Sequence, residues 1–74
     1  MIIDTLNENF ACCVKLSRKH LGMSQQKLAE TMTDRCGVKF YQQTIQKVEN
    51  GKREVTVGEA FVIADVLGIK FGEL

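Results

Sequence analysis

A chain of 74 residues, 45% hydrophobic and 26% charged, can fold as one domain (residues 1–74) with a small core and has no room for a second. With no proline and six scattered glycines, it suits helices punctuated by stops and excludes linkers or low-complexity tracts. The net charge of +1 is uninformative as a sum, and its distribution along the chain says more.

In chain order, Met1-Ile2-Ile3 runs at once into Asp4, unlike a secretory leader. A first helix is expected from about Leu6 to Leu21, with Thr5 and Glu8 at capping-box spacing and Leu6, Phe10, Cys13, Val14 and Leu21 at helical intervals. Cys12 and Cys13 are adjacent, so their side chains diverge, and with Cys36 and His20 they make no metal-ligand spacing. Buried, reduced thiols are expected, with His20 solvated near the end of the helix. Gly22 stops that helix, and Ser24 offers an N-cap for a second, with Met23 and Leu28 placed as a hydrophobic staple. The second helix turns Leu28, Ala29 and Met32 inward and fades before Gly37, and Asp34 to Lys39 reads as an overlong turn. A third helix is expected over Gln42 to Asn50, poorly capped by Tyr41 and stopped by Gly51. Thr56 and Glu59 form a second capping-box pair, with Val55 and Ala60 as a staple and Phe61, Ile63, Ala64 and Leu67 as an apolar face. Gly68 ends this fourth helix, and Phe71 to Leu74 form a last turn. The most apolar stretch, Ala60 to Ile69, is interrupted by Asp65 and too short to span a bilayer. No stretch alternates with period two, so the expected class is all-α, and the expected location is the cytoplasm, with no membrane association.

Charge is unevenly placed. Residues 15–53 carry nine Lys/Arg against three Asp/Glu, and both flanks are acidic. A basic centre of this kind suits a polyanionic partner contacted on one face. At about 100° per residue, Gln42, Gln43, Gln46, Lys47 and Asn50 share an arc of about 140° on the third helix, with Tyr41, Thr44, Ile45 and Val48 on the other side. The polar arc is rich in amides rather than in Glu/Lys pairs. Glutamine can make two hydrogen bonds to the N6 and N7 edge of adenine, and lysine can donate to guanine O6 and N7. Gln25, Gln26 and Lys27 open the second helix beside its free amides, a place for a phosphate, and Lys52 and Arg53 follow the Gly51 stop, where flanking phosphates would lie. Ala29 is small enough for close packing of the second helix on the third.

These residues carry a resemblance. Leu21-Gly22-Met23-Ser24-Gln25, Leu28-Ala29, Thr44-Ile45, Val48-Glu49-Asn50-Gly51-Lys52 and Ala64-Asp65-Val66-Leu67-Gly68-Ile69 resemble, in that order, the Cro/repressor-type helix-turn-helix family of the xenobiotic-response-element group. The similarity runs from Arg18 to the C-terminus, and the string from Gln42 to Lys52 is especially similar to the recognition helix of a phage repressor. The resemblance implies an all-α, five-helix, lambda-repressor-like domain whose helices two and three form the helix-turn-helix. It implies base reading by Gln42, Gln43, Gln46 and Lys47, with Lys47 standing where that repressor has a third glutamine. It implies backbone contacts by Gln25, Gln26, Lys27, Asn50, Lys52 and Arg53, with Gln25 bracing Gln42. It also implies a buried ion pair between Arg18 and Glu49. One departure stands out. Between Gln25 and Ile45 the chain is about six residues longer than a family helix-turn-helix with its short turn. Either the second helix is extended or a loop bearing Arg35 and Lys39 projects beside the DNA. Glu54 also stands where relatives carry basic or neutral residues, which weakens the flanking grip.

The expected function is a DNA-binding transcription regulator, acting as a repressor and as a homodimer on a double-stranded operator of near-palindromic sequence. The alternative is an antitoxin-like or adaptor module that binds a toxin or other protein partner, with Phe71 and Leu74 as the apolar seam. No nucleophile–base pair, phosphate loop or metal set is present in the sequence, so neither an enzyme nor a cofactor is expected.

Overall fold

The computed structural model describes the backbone of residues 2–69 and the side chains of residues 10–69. Four helices and no strand occur among the described residues: α1 Ile2–His20, α2 Gln25–Cys36, α3 Gln42–Glu49 and α4 Val57–Leu67. The expected last turn, Phe71 to Leu74, lies outside them, as does the apolar seam placed there, so the fold is described as four helices.

The helix starts follow local chemistry. At α2, the Ser24 hydroxyl accepts the Lys27 N–H at 3.0 Å. At α4, the Thr56 hydroxyl accepts the Glu59 N–H at 3.1 Å while the Glu59 carboxylate accepts the Thr56 N–H at 3.0 Å. Each bond satisfies an amide that has no partner within the helix. At α3, the Tyr41 side chain makes no capping hydrogen bond, and the Thr44 hydroxyl accepts the Tyr41 N–H at a long 3.4 Å. The start of α1 differs from expectation. Nothing in Ile2–Thr5 breaks a helix, so the backbone is helical from Ile2 and Thr5 lies within the helix rather than capping it.

The core gathers Phe10, Val14, Leu28, Ala29, Met32, Phe40, Ile45, Ile63 and Leu67. Full burial of a side chain such as Leu28 or Ile45 contributes about 1.5–3 kcal/mol over leaving it in water. α2 packs against α3 and α4, and α1 against α3 and α4. Ala29, 1% exposed, is part of this core. Two expected inward residues face outward instead. Leu21 is 53% exposed because α1 ends at His20 and Leu21 already lies in the turn. Phe61 is 61% exposed, since the buried stripe of α4 runs through Ile63, Ala64 and Leu67. The thiols are also less enclosed than expected: Cys12 is exposed, and Cys13 and Cys36 are half-buried. Cys12 points away from the stripe on which Phe10 and Val14 enter the core.

The extra length between the second and third helices is resolved as a longer helix. Asp34, Arg35 and Cys36, expected in a turn, complete α2, and Gly37 caps it with φ 73°. A bond from the Gly37 N–H to the Thr33 carbonyl, 3.0 Å, closes the last turn. Arg35 lies on α2 rather than on a loop, and its Nη2 reaches Asp65 on α4 at 2.5 Å. The remaining connection, residues 37–41, is pinned by Phe40, which inserts into the core at 5% exposure. The Thr33 hydroxyl accepts the Phe40 N–H at 2.9 Å and lies 2.8 Å from the Ala29 carbonyl. Phe40 is the anchor that helical periodicity misses, because it lies between helices; the neighbouring apolar Val38 is exposed, so composition alone does not single Phe40 out.

Candidate nucleic-acid interface

α3 divides as its sequence implies. Ile45, Val48 and Glu49 are buried and Thr44 is half-buried, whereas Gln42, Gln43, Gln46, Lys47 and the C-cap residue Asn50 are all exposed. Tyr41, expected on the inner side, is 58% exposed because it is the N-cap residue in extended backbone (φ −109°, ψ 161°) rather than part of the helix.

A hydrogen-bonded chain beneath this face ties three helices together. Arg18 on α1 donates to both carboxylate oxygens of Glu49 on α3, Nε to Oε2 at 2.6 Å and Nη2 to Oε1 at 3.1 Å. Its Nη1 donates to the Met23 carbonyl at 2.8 Å, holding the α1–α2 turn. Both residues are only 8% exposed, and two parallel N–H···O bonds are the strong geometry for this pair. Glu49 also accepts from Gln25 Nε2 at 3.1 Å. The Gln25 oxygen then accepts from Gln42 Nε2 at a long 3.5 Å.

This chain sets a polarity. A carboxylate offers only acceptors, so Gln25 must turn its nitrogen toward Glu49 and its oxygen toward Gln42. Gln42 in turn directs its nitrogen to Gln25, keeping its carbonyl oxygen and a second N–H for another partner. One acceptor and one donor on an amide are what the N6 and N7 edge of adenine matches.

The charged groups sort by residue type. All three arginines of the sequence are held by acidic side chains: Arg18 by Glu49, Arg35 by Asp65 and Arg53 by Glu59. Arg53, expected on a phosphate, donates from Nη1 and Nη2 to the two oxygens of Glu59 at 3.3 and 3.2 Å. These bonds hold the Glu59 carboxyl below its usual range, with partial burial opposing and the Thr56 bonds assisting. Arg53 thereby secures the start of α4. Gln26 at the start of α2 is bonded to Glu30 at 3.1 Å. Lys27, Lys39, Lys47 and Lys52 are exposed and have no carboxylate partner among the described residues. The positive charge around α2 and α3 is therefore carried by lysines, mobile point charges suited to phosphate oxygens rather than to planar recognition.

No group of side chains that could hold a metal ion occurs among the described residues, and no helix there is long and apolar enough to cross a membrane. A sequence model described as helix-turn-helix matches residues 34–74, more than half of the chain, spanning the end of α2 and all of α3 and α4. No curated protein and no solved structure gives a significant match.

Proposed function

Since the chain belongs to the helix-turn-helix family, we propose that it is a sequence-specific regulator of transcription that binds double-stranded DNA and represses by occupying an operator. α3 lies in the major groove, with its N-terminal residues toward the base edges. The observation that carries this reading is the amide-rich face of α3, exposed and mounted on a buried opposite face. Gln42 and Gln43 suit adenine, Gln46 lies between them and the C-terminal end of the face, and Lys47 suits guanine. Gln25, Gln26 and Lys27 at the start of α2, with Asn50 and Lys52 beyond α3, grip the sugar-phosphate backbone and set the register. Two copies on a near-palindromic site, half-sites about one helical turn apart, follow from this mode of docking. The domain needs no cofactor and performs no catalysis in this role.

The test is selection of bound duplexes from a random pool at two salt concentrations. The expected result is a near-palindromic consensus whose affinity falls steeply with salt. Gln43→Ala and Lys47→Ala should each relax one base position, by roughly 1–3 kcal/mol, and leave the helical circular dichroism unchanged. Recovery of no consensus, or two folded variants with wild-type preference, would refute the reading and redirect the search to a protein partner.

A further inference from the structure

The connection between α2 and α3 displays two donors that the base-reading face does not account for. Phe40 is buried, and in extended backbone its two neighbours point the opposite way. Lys39 and Tyr41 are accordingly both exposed, and the Lys39 Nζ stands 5.6 Å from the centre of the Tyr41 ring. Cation–π attraction favours that placement. The segment carrying them is fastened at three points: the left-handed Gly37 cap, the Thr33–Phe40 bond of 2.9 Å and the bond from the Tyr41 N–H to Thr44, 3.4 Å. No acidic side chain pairs with Lys39 among the described residues. Arg35, the other cation of this stretch, is directed away to Asp65.

From this we infer that Lys39 and Tyr41 form a clamp for one DNA backbone phosphate, contributed by the α2–α3 connection. The ammonium and the phenol hydroxyl are both phosphate donors. They sit immediately before the N-terminus of α3, and a recognition helix that enters the major groove by that end brings the preceding residues against the groove's flanking backbone. The inference rests on the proposed docking of α3. It adds a contact that fixes position without reading sequence.

The experiment measures affinity of the full chain against salt, on the selected duplex and on a random duplex. Neutralising one phosphate contact lowers the slope of log K against log salt by about 0.9. Lys39→Gln is expected to show that loss on both duplexes, with weaker binding and the ranking of single-base variants unchanged. Tyr41→Phe should weaken binding a few-fold without changing the slope, because the phenol is neutral. Lys19→Gln on α1 serves as the control and should match the wild type. A Lys39→Gln slope equal to the wild type, or a changed base ranking, would overturn the clamp. Wild-type protein that binds random duplex with no preferred sequence overturns the operator reading alone, since the Lys39 slope is still read on that duplex. Wild-type protein that binds no DNA overturns both.

Discussion

Replacing Glu49 by methionine removes the carboxylate at the centre of the Arg18–Glu49–Gln25 chain while keeping side-chain volume. The side chains of Arg18 and Glu49 are 10% and 2% exposed, so little water can replace the lost acceptors. Arg18 Nε and Nη2 would lose their partners, as would the Gln25 nitrogen. Breaking a buried pair from one side costs about 3–5 kcal/mol, chiefly because the remaining charge is left unpaired. A chain of this length has roughly 4–11 kcal/mol in total, at about 0.05–0.15 kcal/mol per residue. Glu49→Met should therefore consume much of the stability. Arg18→Met added to it should restore most of the loss, since an apolar pair of similar volume replaces buried ions at little cost or at a gain. Urea unfolding of the wild type, both single variants and the double variant measures this as a coupling energy, with an unchanged m-value showing that the unfolded state is comparable. A single-variant loss below about 1 kcal/mol, the range of exposed pairs, would refute the reasoning. So would a double variant as unstable as Glu49→Met.

Three further outcomes follow from the same structure. Gly37→Ala should destabilise by about 1–2 kcal/mol, because φ is +73° while an added Cβ meets nothing within 4 Å; an unchanged thermal midpoint would contradict the left-handed cap. Phe40→Ala should cost about 3–5 kcal/mol as a buried aromatic truncation, and urea unfolding showing a loss below about 1 kcal/mol would mean that the connection is not anchored in the core. Glu59 has a lowered folded-state pKa, so its contribution is present above the ordinary carboxylate range and is lost as pH falls through the folded value. Thermal melts at about pH 7 and about pH 3 should therefore show a smaller difference for Glu59→Gln than for the wild type; equal differences would rule out the Arg53–Glu59 bonds as an acid-sensitive contact.

Most of the helix boundaries were legible because they depend on residues three or four apart. Ser24, the Thr56–Glu59 box and the glycines at 51 and 68 act within a single turn of chain. The polar arc of α3 was legible for the same reason, since helical geometry alone places Gln42, Gln43, Gln46, Lys47 and Asn50 together. Phe61 was misplaced because α4 is apolar over more than one face, and the pattern does not say which face meets α2.

What the sequence by itself determined is the all-helical class, three helix ends and the amide-rich composition of one face. The tertiary structure decided the rest. It extended α2 through Cys36, drove Phe40 into the core and committed all three arginines to acidic partners. Arg18 meets a residue 31 positions away, and Arg35 one 30 positions away. Capping and periodicity are settled within a few residues of backbone, whereas the choice of a distant charge partner or of a buried face is made only when helices pack and exclude water from between them.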